Sequence, residues 1–386
     1  MRIAYSCTDP GIPTFGRKGA SVHVQEVIRA FRSLGHTVEL FAARLGDDVP
    51  ADLRDLRVHR LPPVPSGEAA VRERAAMTSA DAAYERLAAA GPFDLVYERY
   101  SLWSGAGMRF ARDHGVAGVL EVNAPLIAEQ VAHRVLVHRD EAVAATRACF
   151  AAAGRIVAVS DGVASYVCTF AEARDKVVVV SNGVDPRRFR PLAPSDRARF
   201  TVGFVGTLKA WHGLDTLVEA IATVRPALPG VHLLVVGDGP ERGALEASVD
   251  RLDLRGVTTF TGAVAPMEVP RHLRAMDVAV APYPALDECY FSPLKVFEYL
   301  AAGVPVVASR IGQLERLLSD GETCLFTAPG SVRGLADALA RARNDVALRR
   351  SLARSGLALV QRSHTWRSVA STILDAAAPA VAGRGS

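Results

Sequence analysis

The sequence predicts an α/β protein of two Rossmann-like domains, each a doubly wound parallel sheet, with the strand ends facing a cleft. Three observations predict it. Short apolar β-rich runs alternate with helix-like segments from end to end, the pattern of parallel sheets covered by helices on both faces. The 386 residues exceed what one compact core usually holds. The alternation restarts after a proline- and arginine-rich stretch without periodicity, Pro186 to Pro194, which reads as a linker.

The first series opens with a strand over Arg2 to Ser6, a glycine-bearing loop from Pro10 to Gly19, and a helix from Ser21 to Leu34 that Gly35 stops. Further strands follow at Thr37 to Ala42, Leu95 to Glu98, Gly118 to Val122, Ile156 to Val159 and Val177 to Val180. The second series has strands at Thr201 to Val205, Val231 to Val236, Thr258 to Phe260, Val278 to Ala281 and Val304 to Ala308, and a helix over Thr365 to Ala377 closes the chain. The domains on this reading span 1–188 and 189–362, with 363–386 a helix returning to the first domain and a frayed tail.

Apolar residues make up 49% and charged residues 22%, enough to build a core and against intrinsic disorder. A net charge of +4 with interspersed signs gives no reason to expect nucleic acid and suits a small anionic substrate. Cys7, Cys149, Cys168, Cys289 and Cys324 are scattered and form no C-x-x-C pair, so they read as reduced thiols. The opening residues carry no signal-type apolar run and no later stretch reaches the length of a membrane span, so a cytoplasmic protein is expected. Peripheral membrane contact stays open, and no oligomeric state is implied.

Chemistry concentrates in loops that could hold a diphosphate. Only four of the 45 basic residues are lysines, Lys18, Lys176, Lys209 and Lys295, and three of them fall in strand-to-helix segments at the expected cleft. In Ser292-Pro293-Leu294-Lys295, serine suits an N-cap, proline the first helical position and Gly303 the stop. Lysine in the first turn opposes the helix dipole, a conflict that a bound diphosphate resolves. Glu298, three residues on, lies on nearly the same helix face and could accept from a ribose diol; the plainer alternative is a solvated lysine paired with it. The loop Gly206-Thr207-Leu208-Lys209-Ala210-Trp211-His212-Gly213 lets backbone approach a ligand while Lys209 reaches phosphate oxygens. Gly16-Arg17-Lys18-Gly19-Ala20-Ser21 repeats the arrangement in the first domain, where Gly19 would let backbone close on the donor. Gly237-Asp238-Gly239-Pro240 imitates a dinucleotide fingerprint with the wrong spacing and reads as a turn. No Asp-x-Asp pair, nucleophile elbow, Walker loop or H-E-x-x-H occurs, so no metal or cofactor is expected and leaving-group charge falls to cations and amides.

These pieces together resemble glycosyltransferase family 4, retaining enzymes of the GT-B fold. The resemblance runs through Gly19-Ala20 with His23, Val180-Ser181-Asn182-Gly183-Val184-Asp185 with Phe189, Gly206 to Gly213, Val236 to Pro240, Phe260 to Val264 and Phe297 to Val307. It implies that Glu298 contacts ribose, that Gly262 to Val264 meets the base, and that Lys209 and Lys295 hold the diphosphate. It places Glu121 and Asn123 where relatives face donor sugar and acceptor, with His133 and Arg134 on an acceptor-side helix and His23 nearby. The segment Glu288, Tyr290, Phe291, Ser292, Pro293, Leu294 then lines the donor site. Two departures stand out: the family's first glutamate position holds Tyr290, with Glu288 the nearest acid, and Thr207 and His212 replace its usual arginine and lysine. The expected activity is retaining, metal-independent transfer from a nucleotide-diphosphate sugar, a UDP-sugar favoured, to a hydroxyl acceptor, with Lys209, Lys295, Glu298, His23 and Asn123 closest to the chemistry. A nucleotide-sugar epimerase, a glycoside phosphorylase and a non-catalytic sugar-nucleotide binder are the alternatives, with a nicotinamide-dependent reductase remote.

Overall fold

A computed structural model describes residues 1–189, 199–286, 290 and 292–382, with the side chains of His133, Pro379, Ala380, Val381 and Ala382 left aside. The chain divides into two compact units, Met1–Ser181 with the C-terminal helix from Trp366, and Asn182–Thr365. The second unit therefore begins before the proline- and arginine-rich stretch. Val184 pairs with Thr365 and, with Phe189, is buried in that unit's core, so hydrophobic burial rather than linker composition sets the boundary.

The first unit is a seven-stranded, all-parallel sheet of β1 (Arg2–Cys7), β2 (Thr37–Ala42), β3 (Arg57–Arg60), β4 (Leu95–Arg99), β5 (Ala117–Val122), β6 (Arg155–Ala158) and β7 (Val177–Val179). The strand order is β3-β2-β1-β4-β5-β6-β7. Its helices are α1 (Gly19–Ser33), α2 (Ala69–Ala90), α3 (Ala106–Asp113), α4 (Leu126–His133), α5 (Arg139–Ala152) and α6 (Asp161–Val167). β4 and β5 are buried at every residue, as sheets covered on both faces require. β3 was not expected from sequence; its Arg-Val-His-Arg lacks an apolar run because it is an edge strand, its residues exposed or half-buried.

The second unit has six parallel strands, β8 (Phe200–Val205), β9 (Val231–Val236), β10 (Thr258–Phe260), β11 (Val278–Ala281), β12 (Val306–Ser309) and β13 (Leu325–Thr327), ordered β10-β9-β8-β11-β12-β13. Its helices are α7 (Leu214–Val224), α8 (Arg242–Arg251), α9 (Val269–Leu273), α10 (Leu294–Ala301), α11 (Gln313–Leu317), α12 (Val332–Asn344) and α13 (Val346–Ser363). Phe200, Val202, Phe204, Leu233 and Val235 face one core, while Leu234, Val236, Ala279 and Ala281 face the other. That is the period of two expected for strands sandwiched between helical layers. α14 (Trp366–Ala382) returns to the first unit and packs on α1 and β5.

In each unit strand order reverses once at the centre, between β1 and β4 and between β8 and β11. Ligands of open α/β sheets bind beyond the strand ends at that reversal. Among the described residues no helix is long and apolar enough to cross a membrane, and Cys7, Cys149, Cys168 and Cys324 are free thiols.

Candidate active site

In the second unit, the loops after β8 and β11 flank the reversal and carry Lys209 and Lys295. α10 begins at Leu294 with Pro293 in the cap position and no side-chain cap. The expected serine N-cap is thus corrected: the Ser292 hydroxyl instead accepts from the Asn182 N–H at 3.2 Å, tying down the unit's first residue. The first turn of α10 holds no acid, so its positive end is not neutralised from within the helix. Gly303 follows the helix in the left-handed region, φ +69°, as expected for a stop.

Lys295 is half-buried, but its ammonium is enclosed and has no hydrogen-bond partner among the described residues. It lies 4.3 Å from the Phe204 ring centroid and 5.6 Å from that of Tyr283. A side chain at Gly206 would come within 3.2 Å of Nζ, so the lysine aims at the phosphate-type loop. Burial pushes it down to about 7 despite the opposing charge of Glu298. Glu298 is itself raised by burial, against Arg188 and Lys295. Arg188 escaped the sequence reading because it stands in the proline- and arginine-rich stretch that reads as a linker; its guanidinium donates to the Pro266 carbonyl at 3.1 Å.

Lys209 is half-exposed, 5.2 Å from the Trp211 ring centroid, in the extended residue before a single 3-10 turn. His212 Nδ1 donates to the Thr207 carbonyl at 2.7 Å, closing the loop on itself. Burial, Lys295 and Lys209 together push His212 down to about 4, so it is neutral near pH 7 and adds no cation. Both lysines act on this one ring, which places them on the same small region. His212 therefore supplies loop geometry, not the charge of the lysine it replaces. Thr207 is exposed, and Tyr290 and Leu294 are half-buried at the approach to α10. Glu288 and Phe291 lie outside the described residues.

The neighbouring Gly237-Asp238-Gly239 turn supports this loop. Leu208 N–H donates to the Asp238 carbonyl at 3.0 Å, Gly206 N–H to Val236 at 3.0 Å, and Gly237 N–H to Gly262 at 3.1 Å. Gly262, an expected base contact, thus stands two hydrogen bonds from Gly206, and half-buried Val264, the other, lies two residues further on. A groove of about 430 Å³ lined by Arg199, Thr201, His232, Thr259, Arg271 and His272 opens beside the start of β8 and contains none of these residues.

In the first unit the reversal collects a buried polar cluster. His23 of α1, Arg99 at the end of β4, and Glu121 and Asn123 at and beyond the end of β5 meet there. Arg99 Nη1 lies 3.0 Å from His23 Nδ1 and 3.5 Å from a Glu121 oxygen. His23 stacks on Trp366 with centroids 5.0 Å apart. Arg99 was missed because the strand was expected to stop at Glu98. Gly19 begins α1 with ordinary backbone and open space around it. Ala20 and exposed Lys18 stand beside it. Arg134 ends α4 exposed to solvent, apart from the cluster, and His133 is the last residue of α4. Lys176, the remaining lysine, donates to the Phe150 and Ala151 carbonyls at the end of α5, a helix-capping role.

Comparison with known proteins finds two family models on successive parts of the chain. Residues 17–188 match the model described as Glycosyltransferase Family 4, and residues 199–345 the one described as Glycosyl transferases group 1. The chain is 31% identical over 208 residues to a 2-deoxystreptamine glucosyltransferase of Streptomyces kanamyceticus, 50% of this chain and 52% of that one. It is 31% identical over 206 residues to a GDP-mannose-dependent alpha-(1-6)-phosphatidylinositol monomannoside mannosyltransferase of Mycobacterium tuberculosis, 50% and 53%. It thus spans about half the length of these curated relatives. Sucrose-phosphate synthase from Thermosynechococcus elongatus superposes with TM-score 0.73 at 21% identity, covering 99% of both chains. Anabaena Alr3699/HepE in complex with UDP does so with TM-score 0.72 at 18% identity, covering 98% and 100%. At these identities the structural likeness carries the fold.

Proposed function

We propose, from the premise that the chain belongs to glycosyltransferase family 4, that it transfers a sugar from a nucleotide-diphosphate donor to a hydroxyl acceptor. The observation that carries this reading is the enclosed ammonium of Lys295, without a hydrogen-bond partner among the described residues and aimed at the Gly206 loop from the uncapped first turn of α10. A diphosphate supplies what that ammonium and those amides lack. Lys209 adds a second cation from the facing loop, and Glu298 accepts from the ribose diol. The relatives include a glucosyltransferase and a GDP-mannose-dependent enzyme; a UDP-sugar is our first candidate.

In the proposed reaction the C–O bond to the diphosphate breaks as the acceptor hydroxyl attacks on the leaving-group face, and a phosphate oxygen takes its proton. Configuration is thereby retained. No side chain need act as nucleophile, since stabilising the departing diphosphate is the main demand. We propose that the cations meet this demand without a metal, so EDTA should leave the rate unchanged. Loss of activity restored by Mg²⁺ would refute that part.

Thermal-shift screening of UDP-, GDP- and ADP-sugars tests the reading. One donor should raise the melting temperature, with roughly 2.7 kcal/mol of stabilisation at a hundred times its Kd. No shift with any of them would overturn it.

Donor binding should also be linked to protons. Lys295 is half-neutral near pH 7 in the free protein, and an adjacent anion favours its charged form. Above pH 7 binding must then take up a proton, and affinity should fall as pH rises. Calorimetry at pH 8 in buffers of different ionisation heat should show this uptake in the wild type and not in Lys295→Met. Equal uptake in both would contradict the assignment.

A further inference from the structure

The buried cluster of the first unit contains an ordering device. A guanidinium can only donate, so Arg99 Nη1, 3.0 Å from His23 Nδ1, requires a lone pair on that nitrogen. Burial and the charge of Arg99 lower the His23 pKa well below its usual value, so the ring stays neutral. Its proton therefore resides on Nε2, which stands 3.0 Å from Glu121 Oε1 without a well-aligned hydrogen bond.

The His23 lone pair and the Glu121 carboxylate together decide how Asn123 points. Its Nδ2 lies 3.5 Å from His23 Nδ1 and also faces the Glu121 carboxylate. Both are acceptors, and flipping the amide would set Oδ1 against two lone-pair groups. Asn123 Oδ1 is thus directed away from them, enclosed and without a hydrogen-bond partner among the described residues. An unmet buried acceptor is costly, and a hydroxyl donor would relieve it.

We propose that Arg99 is a positioning residue: by fixing His23 as the Nε2–H tautomer it acts with Glu121 to hold the Asn123 carbonyl oxygen ready to accept from a hydroxyl of a bound sugar. The sugar half of this inference rests on the proposed function; the positioning half does not. The hydroxyl belongs to the donor sugar or to the acceptor, and the two sources are separable by kinetics.

The experiment has two arms on the full chain. In the first, ¹⁵N-histidine spectra of the wild type should show His23 as the Nε2–H tautomer, and Arg99→Met/Glu121→Gln, which leaves no buried charge unpaired, should mix the tautomers. An Nδ1–H ring in the wild type, or an unchanged tautomer in the double variant, would overturn the positioning claim whatever the protein's activity. In the second, Asn123→Ala and Arg99→Met/Glu121→Gln should each raise one KM about tenfold, the worth of one hydrogen bond. Their combination should cost little more than either alone. A raised donor KM in acceptor-free hydrolysis assigns the hydroxyl to the donor; a raised acceptor KM alone assigns it to the acceptor. Unchanged values for Asn123→Ala, or additive losses, would overturn the sugar contact. A wild type that binds no sugar nucleotide would instead overturn the functional reading and the sugar half with it, leaving the tautomer result to stand or fall alone.

Discussion

Lys295→Ala should lower turnover about a hundredfold or more, because a preorganised charge facing a developing anion is commonly worth roughly 3 kcal/mol. The same change should leave the melting temperature level or raise it. Lys295 Nζ makes no hydrogen bond among the described residues, and burial already favours its neutral form, so the folded protein bears a desolvation cost that alanine removes. This opposition of activity and stability separates the proposed role from a structural one. A structural lysine would lose both together, and a near-normal rate would remove Lys295 from the chemistry.

Gly237→Ala should damage the same site from behind. Gly237 has φ +135°, and a Cβ there would stand 2.0 Å from the Gly206 carbonyl oxygen, inside contact distance to backbone that cannot rotate away. Strain of this kind costs on the order of 3 kcal/mol, or about 6–12 °C in a unit of this size. Because the displaced group is the start of the Lys209 loop, nucleoside-diphosphate affinity should fall at least about tenfold at temperatures where the variant remains folded. Gly243→Ala is the control: it lies in α8 with nothing within 4 Å of the new methyl, and should be neutral or stabilising by up to about 1 kcal/mol. Calorimetric melting and binding check both. Similar behaviour of the two variants would mean that the turn does not brace the loop.

Much of this architecture was legible because both sheets are parallel and buried, so their strands appear as uninterrupted apolar runs. Thr37–Ala42, Val231–Val236 and Val278–Ala281 have the expected bounds. Where burial is one-sided the signal fades, as at Arg57–Arg60. The rarity of lysine against abundant arginine pointed to Lys209 and Lys295, and His23, Glu121 and Asn123 do come together. Three features depended on tertiary context. Ser292 resembles an N-cap, yet its hydroxyl is taken by Asn182 from more than a hundred residues away. Arg99 and Arg188 carry no local sign that carboxylates will lie beside them, because topology brings Glu121 and Glu298 there. His212 looks like a substitute cation until burial, with Lys295 and Lys209 nearby, is seen to hold it neutral.

The account stands on two positive side chains, from the segments after β8 and β11, sharing one pyrophosphate group. Calorimetric titration of UDP and GDP, and of uridine and guanosine, into the wild type, Lys209→Met, Lys295→Met and the double variant measures that sharing. Each single change should weaken the bound diphosphate about tenfold or more, with a non-additive double and the nucleoside unaffected. Strictly additive losses, or equal weakening of nucleoside and diphosphate, would contradict it.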